Sequence, residues 1–373
     1  MRNQIVCNSE SEPEPVASSQ LANFCHAMNA IFENVHSQRL CTVARTALLV
    51  IAVAGYAAAA GAAEPAAVVE KPFPVAVVET LNKLSSGPHA GFRANHAKGM
   101  LVTGEFTPAP AATGLSKATH FAATVPVLVR FSNPTGVPTM PDADPDASPH
   151  GMAIRFQLPG GDNTDIVSIS ADSFPVATPE EFLGLLQAVA ASGPGAAKPL
   201  PIEQFLDSHP VAAKWVSTPR PAPASFGTLA FYGINAFKFT NGQGVTRYAR
   251  YQILPVAGQQ ALGSADAAVA TPNYLVDELP QRIAKGAVKF RLVAQVAKAD
   301  DPVNDGSIAW PADREVIELG TLSLTAMATE QVQAQKVLLF NPLMLIDGIE
   351  PSADPVLLAR PGAYAVSYGQ RLQ

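Results

Sequence analysis

His96, in the segment FRANHAKG at 92–99, is the first residue whose chemistry stands out. An imidazole titrates close to neutrality and can move a proton in either direction. Read alone, a histidine beside Asn95 is more often a satisfied polar residue than a catalyst. The segment VRFS at 129–132 adds Arg130 and Ser132, and by itself is a sheet strand with one outward arginine. The third segment, GIEPSADPVLLARPGAYAVSYGQRL at 348–372, sets Arg360 four residues before Tyr364. On a helix that spacing puts both on one face, where a guanidinium donates to a phenol oxygen and favours its charged form. The bland reading is a packed helix with a buried tyrosine.

Together the three segments resemble the haem catalases, and more closely the small catalase-related peroxidases. That family carries R-x-x-H-A-K-G, V-R-F-S and G-I-E-P-S-x-D followed by R-x-x-x-Y, in this order. Here they stand as Arg93 to Gly99, Val129 to Ser132, and Gly348 to Asp354 followed by Arg360 and Tyr364. HGMAIRF at 150–156 and YGINAFKF at 232–239 look like further barrel segments of the family, and the resemblance runs from about Phe73 to the last residue.

The resemblance implies one haem, with Tyr364 as the iron ligand and His96 on the opposite face as acid–base catalyst. It implies that Ser132 supports His96, that Arg93, Arg130 and Arg371 hold the propionates, and that Phe182 stacks on the distal face. Each role suits its residue type. A tyrosine bound to ferric iron is a phenolate, and a free phenol titrates near pH ~10, so Arg360 has a purpose beside it. Guanidinium groups hold carboxylates bidentately. Phe182 is equally well read as a core residue of an amphipathic helix.

Two positions depart from the family. Catalases place an asparagine beside the distal histidine, and Ile169 stands there in the run Asp165-Ile166-Val167-Ser168-Ile169-Ser170. Isoleucine cannot bond a second peroxide, which tilts the expectation from catalase to peroxidase with small organic electron donors and weak catalase activity. A shift of one residue would bring Ser170 into the pocket instead. The second departure is Pro361-Gly362, between Arg360 and Tyr364. Both disfavour a helix interior, so a helix starting near Pro361, where proline is tolerated, is expected.

The elements that position these residues read as an α+β plan, a catalase-like antiparallel β-barrel with surrounding helices and without the C-terminal helical domain of full-size catalases. Strands are expected over 125–132, 151–158, 237–240, 247–254, 288–296 and 314–324, with TNGQGVT turning one pair into a hairpin. Helices are expected over 75–84, 178–191, 202–208 and 273–285, and the chain closes with a segment over 355–372. Thr178-Pro179-Glu180-Glu181 is a strong helix start.

Forty-eight per cent of residues are hydrophobic and 15% charged, enough for a large core. A net charge of −6 without a run of Lys or Arg argues against a nucleic-acid partner. Cys7, Cys25 and Cys41 all precede residue 46, so the body is expected to hold no disulfide framework or thiolate metal site. Residues 46–63, TALLVIAVAGYAAAAGAA, form an uncharged run after Arg39 and Arg45. That pattern reads as a secretory signal or a membrane anchor, with Met28 as a second candidate start. The expected layout is an N-terminal extension over 1–63, a linker over 64–74 and a haem domain over 75–373. The expected location is periplasmic or otherwise exported, and the expected state a monomer or simple dimer with an open haem access route and no nucleotide cofactor. Alternatives are a small true catalase, a fatty-acid hydroperoxide isomerase and a non-catalytic haem-binding protein; the last leaves the pairing of His96 with Ser132 without a purpose.

Overall fold

The computed structural model describes residues 71–373. The first helix, α1 (Phe73–Leu84), is followed by strands β1 (Gly99–Pro108), β2 (Val125–Ser132), β3 (Gly151–Gln157) and β4 (Asn163–Ile169). Helices α2 (Pro179–Ala191), α3 (Pro201–Ser208) and α4 (Pro210–Ser217) come next, then β5 (Phe231–Tyr232), β6 (Phe237–Thr240) and β7 (Thr246–Pro255). Helix α5 (Tyr274–Lys285), β8 (Val288–Val296), β9 (Val316–Met327), α6 (Gln331–Val337), β10 (Ile349–Pro351) and α7 (Pro355–Leu372) follow, with two shorter helices over Ala112–Leu115 and Ser264–Val269 and three single 3-10 turns in the connections.

The strands run antiparallel in the order β10-β6-β7-β5-β4-β3-β2-β1-β9-β8, and β8 pairs back onto β7. That return closes eight strands into a barrel and leaves β6 and β10 as a flap on β7. Closure removes the free edges that an open sheet of this size would present. The expected α+β barrel with surrounding helices is therefore the observed architecture.

Alternation along the strands sorts residues between two faces. Val127, Val129 and Phe131 of β2, with Met152, Ile154 and Phe156 of β3, turn into the barrel core with Phe106, Phe290 and Leu292. Fully burying a phenylalanine contributes roughly 1.5–3 kcal/mol, so this interior carries much of the stability. The intervening positions face outwards and form a floor for the helices.

Expected strands over 125–132, 237–240 and 288–296 match residue for residue, and the others shift by one to three residues at their ends. Helix α1 begins at Phe73, two residues before the expected start. Strands β1, β4 and β10, helices α4 and α6 and the short helices at 112–115 and 264–269 were not expected. β1 contains Gly104, and α6, QVQAQKV, is two turns in which polar and apolar residues alternate, so neither shows clear periodicity.

The expectation of a helix starting near Pro361 is overturned, because α7 runs unbroken from Pro355 to Leu372. Its start is set by Asp354, whose buried carboxylate accepts from Val356 N at 2.9 Å and Leu357 N at 3.3 Å. Proline at the first helical position completes that cap. Pro361 costs one backbone hydrogen bond inside the helix. Gly362 has a packing reason: a Cβ there would lie 2.9 Å from Pro74 Cγ, so the start of α1 could not approach.

No helix among the described residues is long and apolar enough to cross a membrane. The apolar run at 46–63 and most of the expected linker lie outside the described residues.

Candidate functional site

The outward face of β2, β3 and β4 carries side chains in rows set by the strand register. Ser132 pairs with Gly151, and Gly151 with Ile169. One step along, Arg130 pairs with Ala153 and Ala153 with Val167. Directly paired residues of an antiparallel ladder show their side chains on one face. These rows floor a cavity of about 250 Å3, whose other wall is helical: Val77, Val78 and Leu81 of α1, Phe182 of α2, and Ala359, Ala363 and Tyr364 of α7.

His96 stands at the first row. Its backbone is left-handed, with φ of 56°, an uncommon conformation for a residue with a Cβ. Hydrogen bonds hold it there: His96 N donates to Pro134 O at 3.2 Å, and Ala97 N to Thr135 O at 2.8 Å. Arg130 Nη2 donates to the carbonyls of His96 and Ala97 at 2.9 and 3.2 Å. The imidazole lies across Gly151, where a Cβ would come within 2.8 Å of Nδ1. Nδ1 pairs with Ser132 Oγ at 3.0 Å, which leaves Nε2 as the free ring nitrogen. Burial, with Arg130, Arg360, Arg93 and His150 nearby, pushes its pKa down to about 3. The ring is therefore neutral at ordinary pH and can accept a proton.

Ile169 closes the row. It shares a sheet face with Gly151, the residue His96 lies upon, and it lines the cavity. Ser170 does not line it; its N and Oγ bond the backbone of His150 at 2.8 and 2.9 Å. The register with Ile169 in the pocket is the observed one.

The helical wall carries Tyr364. Its hydroxyl oxygen accepts from Arg360 Nε at 3.0 Å and Nη2 at 2.8 Å. Arg360 Nη1 donates to Asn235 Oδ1 at 2.7 Å, and Asn235 Nδ2 to Asp354 Oδ2 at 2.7 Å. A chain of hydrogen bonds thus runs from the buried helix cap to the half-buried tyrosine. Two guanidinium donors on one phenol oxygen form a setting matched to negative charge there.

Arg93, Arg130 and Arg371 also line the cavity. All three lean on one segment: Arg93 Nη2 donates to Leu338 O at 2.8 Å, and Arg130 Nε to Gln335 Oε1 at 3.0 Å. Arg371 donates to Lys336 O and Leu338 O, both at 2.9 Å. None of the three, nor Arg360, has a carboxylate within 4.0 Å among the described residues, and no acid lines the cavity. Burial and the neighbouring Arg371 push Arg130 down to about 9, and burial with Arg130 and Arg371 lowers Arg93. Buried cations without counterions are costly, and the arrangement suits a ligand that brings two carboxylates.

All eight residues singled out from the sequence, Arg93, His96, Arg130, Ser132, Phe182, Arg360, Tyr364 and Arg371, meet in this one cavity. Phe182 packs 5.1 Å from Phe174, so it serves core and cavity together. Asn235 and Ser367 were missed. Asn235 sits in the recognised segment YGINAFKF without a distinguishing signal. Ser367 Oγ accepts from Ala94 N at 3.0 Å, joining α7 to the loop that carries His96. No group of three or more His, Cys, Asp and Glu able to hold a metal ion occurs among the described residues. The donor set fits haem instead: a phenol oxygen for iron, arginines for propionates and apolar walls for a flat ring.

Comparison with known proteins agrees. The Catalase family model matches residues 87–373. A catalase-related peroxidase from Mycolicibacterium paratuberculosis (strain ATCC BAA-968 / K-10) is 37% identical over 287 residues, covering 76% of this chain and 90% of that one. Another from Synechococcus elongatus is 34% identical over 291 residues, covering 76% and 85%. A Pseudomonas syringae pv. syringae catalase is 29% identical, covering 75% of this chain and 57% of that protein. Among solved structures, a fungal catalase superposes with a TM-score of 0.67 at 23% identity, covering 86% of this chain and 66% of that one. Catalase A from Saccharomyces cerevisiae gives 0.67 at 22% identity, covering 86% and 68%. The family's cofactor is haem and its chemistry is oxidation–reduction on peroxide, and this chain belongs to the catalase family.

Proposed function

We propose that the protein is a haem peroxidase, reducing hydrogen peroxide or organic peroxides with electrons from small organic donors and evolving oxygen only weakly. The observation that carries this reading is the cavity itself. Four arginines without a carboxylate partner among the described residues, Tyr364 and a neutral His96 surround it, and Ile169 occupies the place beside His96.

Haem bound in the cavity would supply the redox-active iron for two-electron reduction of the peroxide. Tyr364 Oη would be the iron ligand, and the two bonds from Arg360 would hold it in place and favour its phenolate form. Arg93, Arg130 and Arg371 have guanidinium groups available to the two propionates. His96 Nε2 takes the proton of the incoming peroxide and returns it to the departing oxygen, which leaves as water or alcohol. Ser132 holds Nδ1, so that Nε2 keeps its place through the transfer. Ile169 offers no hydrogen bond, so a second peroxide is not held for oxidation and an organic donor provides the two electrons. The run at 46–63 supports placing this chemistry outside the cytoplasm.

Stopped-flow mixing of the haem-loaded protein with peroxide, with and without a phenolic donor, tests the reading. Return to the ferric spectrum should accelerate in proportion to donor concentration. Return at one rate regardless of donor, with stoichiometric oxygen, leaves a small catalase instead.

A further inference from the structure

Phe92, Val337 and Leu372 are 45%, 49% and 43% exposed, and Val332 is 85% exposed. Phe92, Val337 and Leu372 are distant in sequence, yet hydrogen bonds gather them at one rim of the cavity, and α6 carries Val332 a turn and a half from Val337. Arg93, next to Phe92, and Arg371, next to Leu372, both donate to Leu338 O. Tyr368 Oη donates to Val337 O at 3.2 Å. On α6, Gln331 and Gln335 reach inwards to Leu101 and Arg130, which leaves Val332 and Val337 outside. Scattered single apolar residues need no explanation; a gathered set at a functional rim does.

The same chain contains an uncharged run of eighteen residues at 46–63. Nine residues lie between Ala63 and the start of α1 at Phe73, so the ten Cα–Cα steps span up to roughly 35 Å. Pro74 packs against Gly362 of α7. From there to Leu372 is about 15 Å of helix. A bilayer that held residues 46–63 would lie within reach of the rim. We propose that Phe92, Val332, Val337 and Leu372 form a bilayer-contact surface, so that the tethered domain sits with the arginine end of its cavity at the lipid–water boundary. The proposal rests on reading 46–63 as a segment that enters a bilayer, and it is independent of the peroxidase chemistry.

The test uses the full chain with phosphatidylcholine vesicles whose acyl chains carry bromine, a contact quencher of tryptophan. Phe92→Trp and Leu372→Trp are compared with Val245→Trp, in the β6–β7 turn at the opposite end of the barrel. Quenching at positions 92 and 372 should exceed that at 245 several-fold. Equal quenching at all three positions, or none at 92 and 372 in chains that float with the vesicles, overturns the proposal. In a Val337→Trp background, adding Phe92→Asp and Leu372→Asp should remove quenching while the chain still floats through its tether. A vesicle-free dimer abolished by Phe92→Asp would assign the surface to a second copy and overturn it equally.

Discussion

Arg360 donates through Nε and Nη2 to the Tyr364 hydroxyl oxygen, while its third nitrogen, Nη1, donates to Asn235. The guanidinium cannot rotate away from the tyrosine without breaking its bond to a buried side chain. Tyr364→Phe should abolish tight haem binding, or leave a weakly held haem without a phenolate charge-transfer band. An unchanged ferric spectrum in this variant excludes Tyr364 as the ligand.

On the barrel wall the test is kinetic. His96→Ala should bind haem normally and react with peroxide about 10²–10⁴-fold more slowly, the usual contribution of acid–base assistance. Alanine is less at home than histidine in the left-handed region, but the backbone hydrogen bonds to Pro134 O and Thr135 O do not depend on the side chain, so the fold should persist. A loss below tenfold shows that His96 is not the proton shuttle.

Ile169 separates peroxidase from catalase. The wild type should evolve oxygen poorly from peroxide alone while oxidising aromatic donors readily at equal haem content. Ile169→Asn should raise oxygen release, modestly, because a buried amide without a partner costs ~1–3 kcal/mol. Oxygen evolution by the wild type that rivals an ordinary catalase would sink the peroxidase reading.

The fold itself should be sensitive to acid. Burial holds His120 at about 3, and its Nδ1 has no hydrogen-bond partner among Phe106, Phe121 and Phe156. His150, also buried, lies at about 4. Each binds a proton more readily when unfolded, where the pKa is near ~6.5. Stability contributed by keeping them neutral is complete above that value and is lost as pH falls from there towards 4 and 3. For His120 the loss at pH 4 is on the order of 3 kcal/mol. His120→Leu should move the acid-unfolding midpoint to lower pH, read by urea titration at pH 7 and pH 4.5. An unchanged midpoint assigns the acid sensitivity elsewhere.

Residue types at short spacing were legible without a structure, because helix geometry alone relates them. Arg360 and Tyr364 meet through the four-residue repeat, and Thr178 with Glu181 forms the capping box that the start of α2 announced. The motifs also supplied every member of the arginine set and the histidine–serine pair. What stayed hidden depends on pairings between distant parts of the chain. Strand register, set by closure of the barrel, decided that Ile169 and not Ser170 stands in the pocket. Tertiary burial of Asp354 against Asn235 carried α7 through Pro361, against local propensity. Likewise the carbonyls of Lys336 and Leu338 became arginine partners only when α6 and the turn after it packed against the barrel. A backbone carbonyl is common to every residue, so no pattern of side chains could have marked those two. Local spacing is written in the order of residues, whereas register and packing depend on which distant surfaces the closed barrel brings into contact.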